Sequence, residues 1–227
     1  MSKIEIIPAI LPHVYGEIED GVQYATGNVK TVQIDICDGQ FTPTPTWPYY
    51  KRDDTFEKLT KEEVGLPFWE NLNYEFDLMV NKPEEVVEDW VQVGGTRIIL
   101  HAEARDGIEK AIKLLKGRVE VGVAFDIKTD AVAFLKTLEK SDCFPDFVQC
   151  MGIDNVGFQH QPFDNQVIEK IKTIKAAYPD LPISVDGGVS LETAQELIAA
   201  GATRLVVGSA IFGTDNPLEA LLAFKNL

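Results

Sequence analysis

The chain has 227 residues, 45% of them apolar, and a formal net charge of −15. That length suits one α/β barrel, which typically runs to about 250 residues. The charge argues against nucleic acid and anionic membrane surfaces as partners, and no stretch approaches the roughly 18 consecutive apolar residues of a membrane helix. The three cysteines, Cys37, Cys143 and Cys150, have no metal-type spacing and form no even set. They read as buried or incidental thiols, and the expected location is a reducing cytoplasm. The N-terminus enters a strand directly and is too short for a signal peptide.

Apolar, β-rich runs then alternate with helical patterns from end to end. Ile4–Ile10 reads as the first strand and Val14–Ala25 as the first helix. Thr31–Ile36 is the second strand. The stretch from Asp38 to Trp69 is aromatic, proline-bearing and charged, with only a short helical piece around Asp54–Lys61. It reads as a long loop after the second strand, suited to be a lid, with Trp47, Tyr49, Tyr50, Phe68 and Trp69 as packing groups. Asn73–Leu78 is the third strand and Pro83–Val93 its helix, with Pro83 in the first turn and Gly94-Gly95 as the stop. Strands Arg97–His101, Val119–Phe125 and Phe147–Met151 precede helices Asp106–Leu115, Asp130–Glu139 and Asn165–Tyr178. Strands Ile183–Asp186 and Arg204–Val207 precede helices Leu191–Ala200 and Pro217–Phe224. Eight strands in strict alternation with helices predict a closed (β/α)8 TIM barrel as a single domain over residues 1–227, rather than a doubly wound sheet.

The last two units carry a ligand signal. Ile183-Ser184-Val185-Asp186 ends on Gly187-Gly188, and Leu205-Val206-Val207 ends on Gly208-Ser209. Two successive strand–glycine–helix units leave bare backbone N–H groups facing one point, the way a phosphate is held where the last strands of such a barrel end. The expected phosphate contacts are Gly187, Gly188, Gly208 and Ser209, helped by Gly157.

Ordered motifs along the whole chain resemble the ribulose-phosphate 3-epimerase family. They are Pro8-Ala9-Ile10-Leu11, Val32-Gln33-Ile34-Asp35-Ile36-Cys37-Asp38-Gly39-Gln40-Phe41, Phe76-Asp77-Leu78-Met79-Val80 with Asn81-Lys82-Pro83, His101-Ala102-Glu103, Gly122-Val123-Ala124, Val185-Asp186-Gly187-Gly188 and Gly208-Ser209-Ala210-Ile211-Phe212. The resemblance implies an epimerase of a phosphorylated keto-sugar that works by two-aspartate proton transfer through an enediolate. Asp35 and Asp186 match the family's catalytic aspartates, and Met79 matches a substrate-contacting position. The family's metal ligands are those two aspartates and two histidines. Here Gln33 stands at the first histidine and Asp77 at the second. Ala9 replaces a substrate-contacting serine, and Met151–Phe158 departs from the family's sixth loop. The departures cluster at the reactive end, while the phosphate loops are intact.

Gln33, Asp35, Asp77 and Asp186 form an oxygen-only quartet, which suits Mg²⁺ or Mn²⁺ better than zinc. Three converging carboxylates would otherwise repel one another. No organic cofactor is expected. The expected partners are a small phosphorylated sugar and further copies of the chain. His101 reads as a ligand, an acid or a satisfied barrel histidine. His13 and His160 lie in loops that can reach substrate. Asp126-Ile127-Lys128-Thr129-Asp130 is similar to the Asp-x-Lys-x-x-Asp array of the orotidine monophosphate decarboxylase group, one residue short and on the wrong strand, with Lys128 as a conceivable electrophile. The rival functions are a non-catalytic sugar-phosphate binder and a barrel lyase, an aldolase or decarboxylase, reusing the phosphate site.

Overall fold

The computed structural model describes residues 4–51, 53–154, 156–158 and 161–227. Eight parallel strands close into a barrel in chain order: β1 (Glu5–Ile10), β2 (Thr31–Cys37), β3 (Asn73–Met79), β4 (Gly95–His101), β5 (Glu120–Phe125), β6 (Phe147–Met151), β7 (Ile183–Asp186) and β8 (Arg204–Val207). The helices between them are α1 (Tyr15–Ala25), α2 (Thr55–Thr60), α3 (Val87–Gln92), α4 (Ile108–Leu115), α5 (Ala131–Lys140), α6 (Gln166–Ala177) and α7 (Leu191–Ala200), with α8 (Ser209–Phe212) and α9 (Pro217–Lys225) closing the chain. No helix among the described residues is long and apolar enough to cross a membrane.

Strand boundaries agree with the sequence pattern to within two residues. The helix expected over Pro83–Val93 is divided. A 3₁₀ turn at Pro83–Glu85 gives way at Val86, with φ −125° and ψ −17°, to the shorter α3. Ser209–Phe212 lies between β8 and the helix expected at Pro217–Phe224. It coils into one helical turn because the Gly208 carbonyl accepts from the N–H groups of Ile211 and Phe212.

Successive side chains of a strand point to opposite faces of the sheet. The outward set, such as Val32, Ile34 and Ile36 of β2, joins the helices in one large apolar core. Trp47 is fully buried there, against Tyr15, Phe56 and Trp90, so this aromatic of the long loop is a packing group. The inward set forms layers, read from the strand register. At the bottom, Arg97 pairs with Glu75 and Glu120 across neighbouring strands, and Glu5 with Arg204. These groups are knitted by ion pairs: Arg97 to Glu5 and Glu120, Arg204 to Glu5 and Glu120. In the middle, Phe147 fills the space beside Gly122, where an added Cβ would lie 2.4 Å from the ring. At the top, the inward positions of β2, β3, β4, β6 and β7 are polar. They are Asp35, Asp77, His101, Gln149 and Asp186.

Candidate active site

The C-terminal ends of the strands open into a pocket lined by Asp35, Met79, Gly157, Asp186, Gly187, Gly188, Gly208 and Ser209, together with Ala9, Met151, Phe158 and Gln161. The fold thus gathers both expected catalytic aspartates and every expected phosphate contact around one cavity. Gly187 and Gly188 take left-handed backbone conformations, φ +92° and +67°, which turn the chain sharply after β7. Glycine is also required by space: a Cβ on Gly188 would lie 2.9 Å from the Phe163 Cα, and one on Gly187 2.7 Å from Ile153. Thr42 of the loop after β2 abuts Gly157 of the loop after β6, so the two loops meet beside the pocket.

Beneath the pocket lie Gln33, Asp77, His101 and Gln149, all fully buried. The Gln33 amide nitrogen donates to Asp35 Oδ1 and to Asp186 Oδ2, each at 2.8 Å. The Gln149 amide nitrogen donates to Asp77 Oδ2 at 3.1 Å and to Asp186 Oδ2 at 3.4 Å. His101 Nε2 lies 2.9 Å from Asp77 Oδ1, and the Phe41 ring packs 5.1 Å from the imidazole. Gln149 was missed in the sequence. Its only signal was one polar residue inside the apolar strand Phe147–Met151. Gln161 carried no signal.

Asp35 and Asp186 keep part of their surface open to the pocket yet sit deep in the barrel mouth. Desolvation raises the Asp35 carboxyl well above the usual carboxylate range, and repulsion from Asp186 adds to it. Desolvation also raises Asp186, with repulsion from Asp77 next. With Asp77 they crowd three carboxylates into one small volume, so the group retains a proton more readily than isolated carboxylates do. For His101, burial opposes the charge, but Asp77 outweighs it and pushes the imidazole up to about 9.

Asp35, Asp77 and Asp186 each offer a carboxylate oxygen, and these lie within 4.8 Å of one another. That spacing fits one divalent cation. Gln33 faces the carboxylates with its N–H groups, so in this orientation it is a donor and not the ligand expected. Its carbonyl oxygen, like that of Gln149, is buried without a partner. A half-turn of either amide would bring an oxygen into the ligand set.

Other expectations are corrected. Lys128 does not enter the barrel mouth. Its side chain is 80% exposed and bridges to Asp154 at 2.6 Å. Asp130 caps α5 by accepting from the Ala133 N–H, and Asp126 faces Glu103, so the decarboxylase-like array is dispersed. His13 lies on the rim beside Glu17 and Tyr50. His160 lies outside the described residues.

The sequence model of the ribulose-phosphate 3-epimerase family matches residues 5–212. The chain belongs to this family. A ribulose-phosphate 3-epimerase of Bacillus subtilis (strain 168) is 29% identical over 225 residues, 96% of this chain and 96% of the relative. One from Schizosaccharomyces pombe is 28% identical over 229 residues, 100% of this chain and 94% of the relative. Among solved structures, the 3-hexulose-6-phosphate synthase from Salmonella typhimurium superposes with a TM-score of 0.74 at 15% identity, covering 98% of this chain and 97% of the other. That likeness is one of fold.

Proposed function

We propose that this epimerase-family chain inverts a hydroxyl-bearing carbon beside the ketone of a phosphorylated keto-sugar, with Asp35 and Asp186 as the proton-transfer pair. One observation carries the reading. Two carboxyl groups on different strands, both raised by burial and neighbouring charge, share the Gln33 amide at 2.8 Å and line the same pocket as the glycine loops. Epimerisation at a carbon acid needs one group to take a proton and another to return one to the opposite face. A pair of carboxyl groups that differ in protonation supplies base and acid together.

The backbone N–H groups of Gly187, Gly188, Gly208 and Ser209, with Gly157 opposite, anchor the phosphate and fix the sugar's reach toward the aspartates. Met79 lines the pocket beside them. Gln33 and Gln149 hold the carboxylates in place through their N–H groups. A divalent cation would be held by Asp35, Asp77 and Asp186, with Gln33 as a further oxygen ligand once its amide turns over. Such a donor set favours Mg²⁺ or Mn²⁺ over Zn²⁺. Bound there, the cation supplies positive charge to offset that of an enediolate. The lyase alternative lacks its electrophile, since Lys128 lies on the surface paired with Asp154. The three thiols are free and buried, in keeping with a reducing compartment.

Asp35→Asn and Asp186→Asn test the assignment on ribulose 5-phosphate and related ketose phosphates. Each should reduce epimerisation by roughly 10²–10⁴-fold, with the circular dichroism of the fold intact. Activity retained in both variants would refute the two-aspartate reading.

A further inference from the structure

On the far side of His101 from the aspartate pair lies a second group of polar atoms that the proposed chemistry does not use. His101 ends β4 and is fully buried. Its Nε2 faces Asp77, and its Nδ1 has no hydrogen-bond partner. That nitrogen points at Glu103 Oε2, 4.0 Å away, too far for a hydrogen bond. Asp126, the first residue past β5, completes the group. One atom each from His101, Glu103 and Asp126 lies within 4.8 Å of the other two. His101 Nδ1, Glu103 Oε2 and Asp126 Oδ1 are all buried and all unpartnered. A buried polar atom left unsatisfied is costly, so three of them on three clustered residues call for a common partner.

Glu103 is fixed by its neighbours. Its other oxygen accepts from the Asp126 N–H at 3.0 Å and from the Thr129 hydroxyl, which fixes the carboxylate and leaves Oε2 free. Among the described residues, no lysine or arginine nitrogen lies within 4.0 Å of either carboxylate, and Lys170 is bonded to the Thr129 carbonyl instead.

We infer that His101 Nδ1, Glu103 and Asp126 form a site for a divalent first-row transition cation such as Mn²⁺ or Zn²⁺, distinct from the three-aspartate group. One imidazole nitrogen with two carboxylates selects such an ion over Mg²⁺ or Ca²⁺, which prefer oxygen alone. The outer arrangement agrees. A metal-bound histidine usually gives its other ring N–H to a carboxylate, which fixes the tautomer and frees the ligating nitrogen; here Asp77 is that carboxylate, at 2.9 Å. The ion would tie the loops after β4 and β5 together and reach the reaction centre through the single His101–Asp77 contact. The inference rests on this geometry and does not depend on the epimerase reading.

The rival occupant is a proton on Nδ1, which would set an imidazolium between Asp77 and Glu103. Electron spin-echo spectroscopy of the full chain, stripped of metal and loaded with Mn²⁺, separates the two. An ion among the three aspartates has oxygen ligands, whereas one at the new site couples to an imidazole ¹⁴N. The wild type and Asp35→Asn should both show that coupling. Glu103→Gln and Asp126→Asn should each weaken the ¹⁴N-coupled binding by at least ~10-fold, for Mn²⁺ and, by calorimetry, for Zn²⁺. Absence of ¹⁴N coupling in the wild type overturns the inference without recourse to any variant. So does coupling that survives both substitutions, since it then comes from another histidine.

Discussion

At the scale of single residues, Gln33 does what no histidine could do in the same orientation. One amide nitrogen spans two carboxylates at 2.8 Å each. Gln33→Ala would leave Asp35 and Asp186 facing each other without that donor. We expect kcat to fall by roughly 10²-fold with KM little changed, because Gln33 is buried beneath the pocket and is not among the residues that line it. A change confined to KM would show that Gln33 touches substrate instead. Much of this layer was legible in the sequence. Gln33 and Asp35 are spaced two apart in an otherwise apolar strand, as are Glu75 and Asp77, and period-two polar pairs in such strands point into a barrel. Two things were not legible. A sequence names Gln33 as oxygen or nitrogen donor alike, so its role as a bridging N–H donor waited on geometry. Gln149 is a single polar residue whose partners, Asp77 and Asp186, are 72 and 37 positions away.

At the scale of elements, the strand-to-helix turns after β7 and β8 carry the proposed phosphate site, and the two differ in tolerance. At Gly188 a side chain meets both a left-handed backbone, φ +67°, and the Phe163 backbone at 2.9 Å. Gly188→Ala should therefore destabilise the fold by about 1–3 kcal/mol, so ligand loss there cannot be separated from folding. At Gly208 the nearest atom to an added Cβ is the Ala9 carbonyl oxygen, at an ordinary 3.5 Å. Gly208→Ala should leave Tm within a few degrees while raising KM for a phosphorylated substrate by roughly 10-fold, an energy of about 1.4 kcal/mol. Thermal melting alongside steady-state kinetics checks both variants, and an unchanged KM in Gly208→Ala would remove that turn from the phosphate site. The turns themselves stood out in the sequence, because glycine after an apolar strand and before a capped helix has few other uses. The division of Pro83–Val93 did not, since Val86 leaves helical geometry in a stretch whose apolar spacing continues to Val93.

At the scale of the whole molecule, the barrel is polar at both ends, and the two ends serve different purposes. The bottom layer joins Glu5, Glu120, Arg97 and Arg204 in charge-paired contacts far from the pocket. Partial burial works to raise the Glu120 carboxyl, but hydrogen bonds and charge from Arg204 and Arg97 outweigh it and hold it below its usual 4.5. A carboxyl whose folded pKa is depressed stabilises the native state above its unfolded pKa and loses that stabilisation as pH falls through the folded one. Glu120→Gln should thus cost about 1.5–3 kcal/mol at pH 7 in urea unfolding, and the penalty should shrink from about pH 5 downward. A penalty constant across that range would assign the loss to packing. The alternation of strands and helices made the closed barrel readable from the chain. The pairing of particular charges was not, because it depends on strand register and, for a pair across the barrel such as Glu5 with Arg97, on closure.

The central claim, proton transfer by Asp35 and Asp186, is tested most directly by following deuterium from solvent into ribulose 5-phosphate by proton NMR, with and without Mg²⁺ or Mn²⁺. The wild type should exchange the proton on the carbon beside the ketone, and Asp35→Asn and Asp186→Asn should each slow that exchange by at least ~10²-fold. Exchange at the wild-type rate in both variants, or none in the wild type with any ketose phosphate, would contradict the assignment.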